Sequence, residues 1–151
     1  MGYSVALNDA GNIAVAGQFA GVGTIGSVAL NSTGGSPDVF VASMSSAGAV
    51  QWAKLGTAPQ EDRTLGVAID PSNNVYATGQ FSGNITFDNT YNNTVQNAAF
   101  LVKFSSTGAE TGFVRFAGAQ VLSNDLKFTS DGKLAMAGNF VGGLTFFYAT
   151  P

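Results

Sequence analysis

The sequence predicts an all-β protein made of four-stranded antiparallel repeats, and three observations carry that expectation. SVALNDAGNIAVAGQFAG, from Ser4, returns as GVAIDPSNNVYATGQFSG from Gly66 and, more loosely, as LKFTSDGKLAMAGNFVG from Leu126. Apolar residues within each copy alternate with small or polar ones, the period of a strand buried on one face. Twenty glycines, with many Asn, Ser and Thr, supply far more turn chemistry than helices need.

Each unit opens with a hairpin. Val5 and Leu7 alternate into the turn Asn8 to Asn12, and Ile13 and Val15 resume the pattern. The second copy runs through Val67 and Ile69, turns from Asp70 to Asn74 and continues at Val75 and Ala77; the third uses Leu126 and Phe128, then Leu134 and Met136. Gly11, Asn73 and Gly132 share one turn position, which predicts a positive φ there. Gly17, Gly79 and Gly138 close the second strand of each copy, 62 and 59 residues apart, at a place expected to exclude a side chain.

A second hairpin completes the unit. DVFVASMSSAGAVQWAKLG from Asp38 is answered by AAFLVKFSSTGAETGFVRFAG from Ala98, with Phe40 and Phe100, Ser45 and Ser105, and Gly48 and Gly108 each 60 residues apart. One residue inserted in the second copy would set Trp52, Lys54 and Leu55 opposite Phe113, Arg115 and Phe116. The connections at residues 21–37 and 83–97 vary between copies, and short apolar pieces within them predict a small extra ribbon. These connections and residues 57–64 are the candidate binding loops, because loops on a rigid scaffold carry variable function. The units span about 2–64, 65–123 and, incompletely, 124–151.

Repeated four-stranded antiparallel units fit radial blades better than a sandwich, which has no reason to repeat its sequence. The expected architecture is a partial β-propeller of about two and a half blades. Such a piece cannot close a ring alone, so the chain is expected to be a fragment of a longer parent or a partial propeller that self-associates.

The pattern G-x-A-x-D, a short turn, N-V-Y-x-T-G, a spacer, F-V-x-K, a glycine turn and W-A-K-x-G resembles the bacterial SBBP-type β-propeller repeat. It is especially similar to long-spacer versions in exported Bacteroidetes proteins. Val67, Asp70, Asn74, Val75, Tyr76, Thr78, Gly79, Phe100, Val102, Lys103 and Gly108 carry it, with Trp52, Ala53, Lys54 and Gly56 of the first copy. Asn8 and Thr129 stand where the pattern has aspartate, and Ser43 where it has lysine. The resemblance implies a propeller in an extracellular or cell-surface setting and no particular reaction.

Composition narrows the function classes. A net charge of −3 with six scattered Lys and Arg offers no basic stripe for nucleic acid. With no His and no Cys, serine–histidine and cysteine–histidine catalysis, disulfides and the usual zinc sites are excluded. No apolar run is long enough to span a membrane as a helix, and no signal-peptide pattern is read near Met1. Gly21, Gly23 and Gly26 match a dinucleotide glycine motif without the helix that motif needs.

The expected function is therefore a non-enzymatic structural or interaction module, with no catalytic residues, cofactor or metal assigned. Its partners would be the remaining blades of a parent chain, a second copy, a surface protein or a glycan. Tyr91, Asn92, Asn93 and Gln96 are the candidate ligand-binding residues for a carbohydrate, an aromatic beside amides. Glu61 and Asp62 form, with Arg63, the dense charge cluster of the chain; they are the acid and base candidates if the protein is a polysaccharide-directed enzyme. Asp9, Asp70 and Asp131 are expected to bond their own turns.

Overall fold

The computed structural model describes residues 1–32, 35–93, 98–118, 120–143 and 145–149, with the backbone alone for 146–149. The described residues are all-β. In chain order the strands are β1 (Gly2–Leu7), β2 (Ile13–Phe19), β3 (Val22–Ile25), β4 (Val28–Asn31), β5 (Asp38–Met44), β6 (Val50–Gly56), β7 (Arg63–Ile69) and β8 (Val75–Phe81). They continue as β9 (Ile85–Thr86), β10 (Thr90–Tyr91), β11 (Ala98–Phe104), β12 (Glu110–Ala117), β13 (Gln120–Phe128), β14 (Leu134–Val141) and β15 (Thr145–Ala149).

The first blade is the antiparallel sheet β1-β2-β5-β6, and the second is β7-β8-β11-β12 with β15 added beyond β12. β13 and β14 pair as the inner hairpin of a third. The blades stack face to face in a propeller-like way, β7 of the second packing on β1 and β2 of the first and on β13 of the third. First strands line a shared cleft of about 350 Å³, walled by Ser4 to Leu7, Val67 to Ile69 and Asp125 to Phe128. The turns that follow them gather around a second cleft of about 560 Å³ at its end.

The main core fills the junction between the first two blades. Ala14, Ala16, Val39, Val41 and Trp52 meet Val67, Ile69, Val75, Ala77, Phe81, Phe100, Val102, Phe104 and Phe113, all buried. The sizes are complementary: small residues on the inner strands of the first blade admit the rings of the second. Phe81 meets Phe100 and Phe113 edge to face, at ring separations of 6.0 and 6.1 Å, a geometry aromatic quadrupoles favour. A smaller cluster, Ala99, Phe116 and Val121, joins the second blade to the third.

One turn design recurs in the hairpins. The side chain of the first turn residue accepts the amide four positions on: Asn12 to Asn8 at 3.1 Å, Ala49 to Ser45 at 3.2 Å, Asn74 to Asp70 at 2.8 Å, Ala109 to Ser105 at 3.1 Å and Lys133 to Thr129 at 3.0 Å. The fourth residue adopts positive φ, and Asn73 at 64° does so between Gly11 and Gly132, both at 78°. Asparagine tolerates that region better than other side chains, so the expected special position is found in all three copies.

Gly17, Gly79 and Gly138 occupy equivalent places opposite a bulge in β1, β7 and β13. A Cβ at Gly79 would overlap the Arg63 carbonyl, at Gly138 that of Leu122, and at Gly17 that of Met1.

Two local readings of the sequence are corrected. The expected insertion before Phe113 is absent: β5–β6 and β11–β12 bulge at the same step, so Trp52 corresponds to Gly112 and Leu55 to Arg115. Trp52 thus faces the second blade, its Nε1 donating to the Ser106 carbonyl at 3.1 Å, whereas Phe113 faces the first. The segment after Gly142 also forms a strand that pairs with β12, Thr145 opposite Ala117 and Phe146 opposite Phe116. In the second unit the corresponding Thr86 bridges Thr57 at the end of β6. The second and third connections thus reach back to the outer strand of the preceding blade.

Candidate functional site

The ribbon β9–β10 is packed into the protein. Phe87 lies 5.9 Å from Phe100 and 5.6 Å from Phe104, ring centre to ring centre, and its ring occupies the space a Cβ at Gly56 would need. Asp88 accepts from Lys54 Nζ at 2.5 Å and from the Glu110 amide at 3.0 Å. Glu110 in return accepts from the amides of Asp88 and Asn89, at 3.0 and 3.1 Å. The second connection therefore fastens the first blade to the second.

Tyr91 belongs to this fastening. Its ring stacks on Phe113 at 3.7 Å and 4°, and its hydroxyl donates to Glu110 Oε1. Burial and then the Glu110 carboxylate push the phenol pKa upward, so the hydroxyl remains a donor. One ring face is thereby taken by Phe113 and is closed to a sugar. The Asn92 carbonyl accepts from Arg115 Nη1 at 2.5 Å, and Asn93 is buried with its amide on Asn84 Oδ1 at 3.3 Å. Gln96 lies outside the described residues.

Glu61 and Asp62 are divided by burial. Glu61 is exposed; its carboxylate accepts from Gln18 Nε2 at 3.1 Å and from Arg63 at 2.7 Å, and these partners hold its pKa below the usual range. Asp62 is fully buried at the rim of the same junction. Its amide donates to the Pro37 carbonyl at 3.3 Å, and its Oδ1 accepts the Ser82 amide at 3.0 Å, tying the first blade to the second. Oδ2 has no hydrogen-bond partner. Burial, with the nearby Asp38 and Glu61 carboxylates, pushes the Asp62 pKa up to about 7 against the opposing Ser82 hydrogen bond. A carboxyl near that value has the acidity of a general acid, and this one is buried within the protein. At the next junction Ala98 and Val121 stand in the places of Asp38 and Asp62.

Asp70 serves its turn, accepting the amides of Ser72 and Asn74 at 2.9 and 2.8 Å and Asn74 Nδ2 at 2.8 Å. Asp131 pairs with Lys133 Nζ at 2.6 Å and accepts from Thr129 Oγ1 at 2.5 Å. Among the described residues, no group of three or more His, Cys, Asp or Glu is placed to hold a metal, and no helix is long and apolar enough to cross a membrane.

The candidate residues thus separate into a ribbon anchor and a junction rim. What remains exposed is apolar strand. Val5 and Leu7 are 62% and 64% exposed, whereas Val67 and Ile69, their counterparts in the second blade, are 2% and 6% exposed. The second open element is the edge strand β14, which carries the exposed Met136, Phe140 and Val141 and beyond which no strand pairs among the described residues. No protein-family model matches the chain, and no curated protein matches it.

Sequence reasoning missed Glu110, Asp88 and Asp38. Glu110 stands at the repeat position of Val50, and a charge in place of an apolar residue was the available signal. Asp38 carried the same signal against Ala98. Exposure of Val5 and Leu7 has no signal in the residues themselves, because they match their buried counterparts.

Proposed function

We propose that the chain is a non-enzymatic structural and interaction module, part of an SBBP-like β-propeller in an exported bacterial protein, whose open faces are covered by further blades. One observation carries the reading: the face that Val67 and Ile69 bury against the first blade is repeated by Val5 and Leu7 with nothing over it. Exposed apolar strand and an unpaired edge are features that proteins cover in their working assemblies.

The edge of β14 gives the sharper expectation. Its counterparts β2 and β8 pair antiparallel with β5 and β11 along seven residues each. An added strand is expected to enter by the same register, its backbone amides and carbonyls supplying affinity and its alternate side chains specificity.

The test adds a hairpin peptide copying Ala98–Ala117 to the chain and follows amide hydrogen exchange. Binding with slowed exchange across Leu134–Val141 is the expected result. Saturating peptide that leaves β14 unprotected would remove the propeller-module reading.

A further inference from the structure

We propose that the open face of the first blade receives the third blade of a second copy of this chain, head to tail. The inference rests on the partial-propeller reading and names the partner for its open faces. The chain carries copies of both halves of the junction it already makes internally.

One half of that junction is Ala14 and Ala16 on β2, fully buried against the second blade. Register places Ala135 and Ala137 of β14 in the same positions, since Gly17 and Gly138 are equivalent. Leu134, Met136, Gly138 and Phe140 are paired with Phe128, Leu126, Ser123 and Val121 and share their face. Ser123 and Met136 meet Thr78 of the second blade, so Ala135 and Ala137 face away from it. Both alanines are exposed.

The other half is Val67 and Ile69, which Val5 and Leu7 repeat. Small residues on one side and β-branched or long apolar ones on the other gave a closed core between the first two blades. The same pairing is available between copies. Polar positions agree as well: the Val67 amide donates to Ser4 Oγ at 3.1 Å across the internal junction. Asp125 stands at the position of Ser4, giving the Val5 amide of an incoming copy an acceptor. Lys127 replaces Ala6 on that face, placing a cation where an incoming β1 ends, two residues before Asp9.

Such a contact joins unlike surfaces, so each copy keeps one of each and further copies can be added until a ring closes. An isologous dimer would instead set Val5 and Leu7 of both copies against each other.

The chain has no cysteine, which makes the contact testable by site-specific cross-linking. Leu7→Cys and Ala135→Cys, both at exposed positions, are prepared separately, mixed and treated with a short bis-maleimide. Dimer is expected in the mixture and absent from either variant alone, and adding Val5→Asp to the Leu7→Cys chain should abolish it. Cross-linking of the Leu7→Cys variant with itself would overturn the head-to-tail contact in favour of an isologous one. No cross-link in any tube, with a single monomer mass by light scattering, would overturn association between copies. The peptide experiment separates the two failures: β14 that accepts the hairpin while the chains stay apart leaves the propeller module standing and removes the second copy as its partner.

Discussion

The first and second blades place nearly the same residues in opposite situations. Val67 and Ile69 lie in a closed junction with Ala14 and Ala16, while Val5 and Leu7 stand in the open. The ribbons differ in the same sense. β9–β10 is held by Phe87, Tyr91 and the Lys54–Asp88 ion pair, whereas β3–β4 leaves Val22 exposed and buries Leu30. In a stacked repeat, burial of a face is a property of its neighbour, and the same side chain stabilises or stays idle accordingly.

The largest contrast is expected from a charge placed in each face. Val67→Asp puts an unpaired carboxylate into the closed core and should cost on the order of 4 kcal/mol, enough to unfold a marginal domain. Val5→Asp should change the stability of the single chain by about 0.5 kcal/mol or less. Urea denaturation of both variants reads the difference, and equal losses would show that the first face is already covered.

Phe100 and Phe40 give the next contrast. Phe100 touches Phe81, Phe87 and Phe113, so Phe100→Ala should cost about 3 to 4 kcal/mol. Phe40 packs over Gly17 on the open side, and Phe40→Ala should cost about half as much. Thermal melts that rank the two the other way would reverse the assignment of faces.

The repeat glycines grade the same comparison more finely. Gly79→Val should cost about 3 kcal/mol, because the Arg63 carbonyl it strikes is held inside the sheet. Gly17→Val and then Gly138→Val should cost progressively less, since the Met1 and Leu122 carbonyls stand farther from the added Cβ than the Arg63 carbonyl does. A wild-type melting temperature for Gly79→Val would break the repeat register.

Asp62 makes the first junction sensitive to pH. Its pKa is raised when folded, so the folded state binds the extra proton, and stability should fall as pH rises from about 4 to about 7. The loss is at most on the order of 4 kcal/mol. Asp62→Asn keeps an acceptor for the Ser82 amide and should flatten that slope; an unchanged slope would place the titrating group elsewhere. The smallest effect belongs to Lys54→Ala, which removes a partly exposed ion pair and should cost under about 1 kcal/mol in the same denaturation series.

Much of this fold was legible in the sequence. Alternation and turn residues placed the hairpins, and the recurring glycines marked both the positive-φ turns and the crowded bulges, because each needs a particular backbone and little else. The match between Trp52 and Phe113 was misleading because aromatic residues occur on both faces of neighbouring strands, and a one-residue slip exchanges the faces. The strand after Gly142 was missed because its pairing depends on β12, distant in sequence. The ribbon residues read as ligand-binding candidates because Tyr and Asn are polar. That the Tyr91 hydroxyl meets Glu110 was not legible, because the position of Glu110 is set by another hairpin.

The most direct measurement is light scattering coupled to size-exclusion chromatography across a range of protein concentrations, with the wild-type chain and a Val5→Asp, Leu7→Asp variant side by side. The wild-type mass should climb above 15.4 kDa with concentration, while the variant, equally folded by circular dichroism, stays at the monomer mass. A wild-type chain that remains a sharp 15.4 kDa species with a cooperative melt throughout would contradict the assignment of these faces to association between copies.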